Sequence, residues 1–303
     1  MKQLFVFLSV LTFILSSCTS KIPEEAFPVS EVHEETWDDV FLHSSDLEVF
    51  TWSTGQIHGD PYGLLNKKHE NAPVFNEKRI FVDVPVTCVY SQHNGWMLFD
   101  TGIDKSVQDN PYKKFNGILI KMIIGELRQE PGQDAATRLA GMGVTPDYVF
   151  LTHMHFDHVM GITDLPSNCT YIKGADEKPF EIPLLFTLTH YRHVQSFENI
   201  SFSRGKPLYP FDEVVDVFGD SSVFAINTKG HTKGHTSYLI NSSDGPVLVA
   251  GDEVNIPQNL DSGSGPGSYS WNIELAEKHF NQIREFLKMY PSVKLQMGHY
   301  IEE

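Results

Sequence analysis

His153-Met154-His155-Phe156-Asp157-His158 is the stretch on which the reading of this chain turns. It packs three imidazoles and a carboxylate together directly after the strand-like run Tyr148–Leu151, where a strand ends and the chain turns. Alternate residues of an extended segment point to the same side, so His153 and His155 can face one ion together. Asp157 and His158 follow a turn later and can face a second ion nearby. Imidazole and carboxylate are the zinc ligands expected where no thiolate is offered. A lone histidine is usually structural or exposed, but a cluster of this density calls for a metal.

Three later segments repeat the arrangement. Gly230-His231-Thr232-Lys233-Gly234-His235 follows the run Val223–Asn227, Gly251-Asp252 closes the run Val247–Ala250, and Gln296-Met297-Gly298-His299 closes Val293–Gln296. Each sets a candidate ligand where a strand gives way to a loop, the usual place for site residues on a rigid scaffold. Other short runs, β-branched or aromatic and bounded by Gly, Asp, Asn or Pro, predict strands at Leu47–Trp52, Ile80–Tyr90, Trp96–Phe99 and Ser237–Ile240. Helices are expected at Asp134–Met142 and Ile273–Met289. In the second, Leu275, Ala276, Phe280, Ile283, Phe286 and Leu287 recur at three and four residues and mark one buried face. Strands early and late with helices between suit two sheets covered by outer helices. Tyr112–Gln129 and Pro179–Phe202 read as apolar insertions: ordinary core helix, an apolar wall beside the site, or a surface facing the membrane.

In this order the four ligand-bearing segments, with Leu98-Phe99-Asp100-Thr101-Gly102 before them, resemble the metallo-β-lactamase superfamily over roughly residues 41–301. The resemblance implies an α/β fold, the αββα sandwich. It places His153, His155 and His231 on a first zinc and Asp157, His158 and His299 on a second, with Asp252 bridging the two and Asp100 behind the ligands. His235 is read as structural. The chemistry implied is attack on a substrate carbonyl by a hydroxide held between the metals, since a metal lowers the pKa of water from 15.7 to about 7. Asp157 or Asp252 would hold and pass the proton.

Within the superfamily the sequence is most similar to the N-acyl-homoserine lactonases. Phe156 inside the histidine run, Asp83-Val84-Pro85-Val86-Thr87-Cys88 and the short tail after His299 carry that likeness. The expected substrate is therefore a small acylated lactone or ester, with Phe156 and Asn255 as candidate contacts. The lactonases have a Tyr three residues after the bridging Asp, where this chain has Asn255, and Tyr269 and Tyr191 are the phenols open to that role. A glyoxalase-like thioesterase shares all the ligands but usually carries a helical substrate domain after the bridging Asp. A non-catalytic zinc-binding lipoprotein is the reading outside the enzymes.

The remaining sequence concerns location and class. Lys2 and the apolar run Leu4–Leu15, too short for a span of about 20 residues, read as an export signal. Leu15-Ser16-Ser17-Cys18 resembles a bacterial lipobox, which implies acylation of Cys18 and a membrane lipid anchor on an exported domain. Residues 19–40, rich in Glu, Pro, Ser and Asp, are expected to form a tether, with the folded domain from Phe41 onward. Cys88 and Cys169 lie in apolar, strand-like contexts that predict buried free thiols. The net charge of −16, with no Lys/Arg cluster, argues against a nucleic-acid partner.

Overall fold

The computed structural model describes residues 22–117, 119–182 and 185–302. Two sheets lie face to face. The first has eight strands, in the order Glu24–Ala26, Phe197–Ile200, Thr170–Gly174, Tyr148–Phe150, Gly95–Phe99, Ile80–Ser91, Leu47–Gly59 and Leu127–Arg128. The second runs Lys206–Leu208, Phe211–Asp216, Val223–Asn227, Thr236–Ile240, Val247–Gly251 and Lys294–Met297, with Ser30–Glu31 added beside Phe211–Asp216.

Side-chain alternation builds the layers. Inward residues of both sheets, among them Val89, Phe99, Phe150, Ile172, Val223, Ala225 and Tyr238, form the central core. Opposite faces of the same strands carry the outer cores. Phe224, Ile226, Leu239 and Leu248 meet Phe280, Ile283 and Phe286 of the helix Ile273–Met289. Its first turn is capped by Asn272, whose side chain accepts the Leu275 N–H. On the far side Leu98, Val149 and Leu151 meet Leu139 of the helix Ala135–Met142, capped by Asp134. Strands buried on both faces explain the near-continuous apolar runs. The architecture is an αββα sandwich. Among the described residues no helix is long and apolar enough to cross a membrane.

One expectation is corrected. The acidic stretch read as a tether is folded wherever it is described. Glu24–Ala26 pairs in parallel with Phe197–Ile200, and the Glu24 carboxylate lies 3.5 Å from the buried Lys173 ammonium and 2.9 Å from Lys178. The helix Trp37–Leu42 follows a capping box between Thr36 and Asp39. It buries Trp37 among Phe211, Phe224 and Phe286, with ring centroids 5.2–6.0 Å apart. Composition misled because the acids here work as caps and ion-pair partners and the apolar anchors are widely spaced. Cys18 and the apolar run before it lie outside the described residues. Cys88 and Cys169 are buried and free, as expected.

The two insertions meet. Phe115–Asn116 pairs antiparallel with Thr187–Leu188, and the Leu119 N–H donates to Leu185 O. Phe115 lies edge-on to Phe156 at 6.0 Å, which brings this unit against the histidine loop. His190 does not reach the site. It is buried with Nε2 3.3 Å from Asp104 Oδ2, in the loop after Asp100.

Candidate metal centre

The strand Tyr148–Phe150 delivers the histidine run to the rim of the sandwich. Its direction there is set by hydrogen bonds to two carboxylates. Asp100 accepts from the Thr152 N–H (2.8 Å) and the Thr152 hydroxyl (2.8 Å), while Glu177 accepts from the Met154 N–H (2.9 Å). The helix Phe156–Val159 then starts on His155 and turns Asp157 and His158 inward on its first turn. His231 arrives on the turn after Val223–Asn227. Asp252 follows Gly251, whose φ of 56° and closeness to His235 exclude a Cβ. His299 comes after Lys294–Met297.

All seven side chains expected as ligands converge. Ligand atoms of His153, His155, His231 and Asp252 lie within 4.8 Å of one another, and so do those of Asp157, His158 and His299. Asp252 stands between the groups. One of its oxygens is 3.2 Å from His158 Nε2, and the other is 3.3 Å from His231 Nε2 and 3.4 Å from His299 Nε2.

Chemically, the donor set fits two ions. The outer nitrogens are held by protein: His158 Nδ1 by Asp100 Oδ2 at 2.7 Å, His299 Nδ1 by Asp83 O at 2.9 Å, and His153 Nδ1 by the Thr152 hydroxyl at 3.1 Å. The inner atoms His153 Nε2, His158 Nε2 and Asp252 Oδ1 are buried without a hydrogen-bond partner. Buried polar atoms are rarely left so, and outer-shell bonds of this kind fix the tautomer a metal requires. Burial drives the His153, His231 and His155 pKa values down, so these imidazoles are neutral, the ligating form. For His158, burial acts in the same direction, but the carboxylates of Asp100, Asp252 and Asp157 outweigh it and raise its pKa. Burial likewise opposes a charge on Asp252. The imidazoles of His299, His158 and His231 nevertheless hold its carboxyl well below the usual carboxylate range.

His235 accepts the Asp252 N–H on Nε2 (3.1 Å) and meets the Thr228 hydroxyl through Nδ1 (2.9 Å). It buttresses the backbone of Asp252, the structural place read for it. Asn255 differs from the expectation of a substrate contact. It is buried, and its amide donates to Leu64 O and Asp252 O. Phe156 is half-buried against the apolar core. Tyr191 is tied to Glu181 by a 3.0 Å hydrogen bond. Tyr269 stands half-exposed on the loop between the last two helices, its hydroxyl accepting the Asp60 N–H.

Glu177 went unnoticed in the sequence. Besides Met154, it takes the Thr232 hydroxyl and the Gly234 N–H, joining the loop of His153 to the loop of His231. A lone glutamate between Asp176 and Lys178 gives no sequence signal of this. Trp271 was equally silent: its backbone N–H donates to His231 O and its side chain is exposed.

Asp100 sits at φ 59°, a left-handed turn that Asp tolerates and that swings its carboxylate under the histidine loop. The two Asp100 oxygens meet three donors between them, and Asp100→Asn exchanges one of these acceptors for a donor that faces at least one of the three. Affinity for the ion next to His158 is expected to fall roughly 10–100-fold, as read by competition with a chromogenic chelator. An unchanged affinity would remove Asp100 from this role.

A metal-binding cluster of imidazoles and carboxylates at the rim of an αββα sandwich defines a metal-dependent hydrolase. The profile of the metallo-beta-lactamase superfamily matches residues 81–287, and the chain belongs to that superfamily. It is similar to an N-acyl homoserine lactonase of Azorhizobium caulinodans, 24% identical over 70% of this chain and 81% of that one. It is also similar to a gamma-lactamase of Gibberella moniliformis, 28% identical over 52% of this chain and 69% of that one. Among solved structures, an N-acyl homoserine lactone hydrolase with the product N-hexanoyl-L-homoserine at its metal centre superposes with a TM-score of 0.62. That likeness covers 84% of this chain and 94% of the other, at 18% identity.

Proposed function

We propose that this chain is a two-zinc hydrolase that opens the ring of small acylated lactones of the N-acyl-homoserine type. The observation that carries the reading is Asp252, a buried carboxylate shared by two groups of ligands. His153, His155 and His231 would hold one zinc, Asp157, His158 and His299 the other, and Asp252 both. When bound, the ions polarise the ester carbonyl and lower the pKa of water. Asp157, with an oxygen 3.5 Å from His299 Nε2 and 3.7 Å from His158 Nε2, lies at the edge of the cluster and is placed to receive and return the proton. Buried His235 and Asn255 keep the Asp252 backbone from moving as the ester bond breaks. The sequence before Ile22 supports export and lipid attachment at Cys18, with the domain outside the cytoplasm.

The test is a pH-stat assay of the zinc-loaded protein on N-acyl-homoserine lactones of several chain lengths, beside linear esters, a thioester and a phosphodiester. Lactone opening is expected, lost on chelation and restored by zinc. Turnover confined to the thioester, or no turnover with two zincs bound, rejects the lactonase reading.

A further inference from the structure

The rim of the metal centre is unevenly furnished. Phe180, exposed, lies edge-on to the His155 ring at 6.3 Å. Trp271, 55% exposed, is joined to the other member of the touching pair through its backbone N–H, which donates to His231 O. His155 Nδ1 and His231 Nε2 are 2.9 Å apart, so Phe180 and the Trp271 backbone attach to two touching members of the cluster. Over the Trp271 ring, 5.3 Å from its centroid, stands the ammonium of Lys233.

That lysine is unusual for its place. The chain carries a net charge of −16, and the lysine ion pairs of the described residues belong to Lys173, Lys178, Lys206 and Lys278. Lys233 is exposed and leans on an aromatic face, which localises the charge without neutralising it. Its backbone position is equally fixed, because Glu177 holds Thr232 and Gly234 on either side. Lys233 also lines a groove of about 240 Å³ that it shares with Lys229, Ser201 and Ser203. Of the acids there, Glu213 is taken by the Asn227 amide and Asp176 is exposed. A held cation, in no ion pair among the described residues, thus stands two residues from His231 at the edge of a polar groove.

We propose that Lys233 selects substrates whose acyl part ends in an anionic group, such as a carboxylate, a few carbons from the scissile ester. The apolar stretch lies between Phe180 and Trp271, and the terminal anion meets the Lys233 ammonium. This rests on the hydrolase reading above and narrows its substrate class.

The experiment pairs neutral and ω-carboxylated acyl substrates of equal length, both as lactones and as linear esters, with the zinc-loaded full chain. The wild type is expected to favour the anionic member about tenfold in kcat/KM, through KM, and to lose the preference at high salt as the charges are screened. Lys233→Gln removes the preference, Lys233→Glu reverses it, and Lys233→Arg retains it. A purely structural role would shift both substrates alike. Calorimetry of hexanedioate against hexanoate supplies a reading without turnover: the second carboxylate tightens binding in the wild type and has no effect in Lys233→Gln. If lactones fail but the linear esters are cleaved, only the lactonase reading falls, and the ester pair still decides Lys233. Equal KM values and equal binding of the two acids overturn the inference.

Discussion

Replacing Asp252 by Ala is expected to lower kcat/KM at least about 10³-fold, roughly 4 kcal/mol of transition-state stabilisation. Its two oxygens lie 3.2–3.4 Å from His158, His231 and His299. Without it, imidazoles from both groups point into a buried space that has lost its shared anion, and two bound ions would lose the ligand expected to hold both. Bound zinc is expected to drop from two to one or fewer per chain. The fold itself should survive, because His235 accepts the Asp252 N–H and the Asn255 amide donates to Asp252 O, both on the backbone rather than the carboxylate. Circular dichroism would show an unchanged spectrum beside the lost zinc and activity. An alanine variant that keeps two ions and works within tenfold of the wild type would dismantle the two-metal site.

Glu177→Ala is expected to damage stability as well as the site. The carboxylate is fully buried and accepts from Met154, Thr232 and Gly234. Burial raises its pKa, while the bonds from Thr232 and Met154 oppose that shift. Alanine leaves two backbone N–H groups buried and unpaired, at about 1–3 kcal/mol each. A loss of roughly 3–5 kcal/mol in denaturant unfolding should appear, together with weaker zinc retention, since the loops of His153 and His231 are no longer joined. Glu177→Gln keeps one acceptor oxygen and should fall between. Unfolding within 0.5 kcal/mol of wild type would make the link incidental.

What could be read beforehand follows the range of each signal. The helix Ile273–Met289 was legible to the residue because its period is local and its cap adjoins it. Val223–Asn227 was equally clear, bounded by Ser and Thr. The ligand-bearing segments stood out because metal chemistry demands rare residue types in tight spacing, and the structure brings those side chains together. The N-terminal strands and the helix Trp37–Leu42 did not stand out. Glu24 is legible as structural only once Lys173 and Asn199 are beside it, and those are far along the chain. Thr170–Gly174 and Phe197–Ile200 were missed for a similar reason, being short strands whose partners are remote. Asn255 misled because its spacing from Asp252 places it near the site without saying that its amide turns toward the main chain.

The parallel pairing of Glu24–Ala26 has a practical corollary. Its neighbours Phe197–Ile200, Thr170–Gly174 and Tyr148–Phe150 all run the same way, and the last of them ends at the histidine loop. The described chain therefore begins on an edge strand that runs in the direction of the histidine loop. A bead or fusion partner joined ahead of Ile22 would load an edge strand of the first sheet, and the Glu24 ion pairs with Lys173 and Lys178 are the contacts that hold that strand against the load.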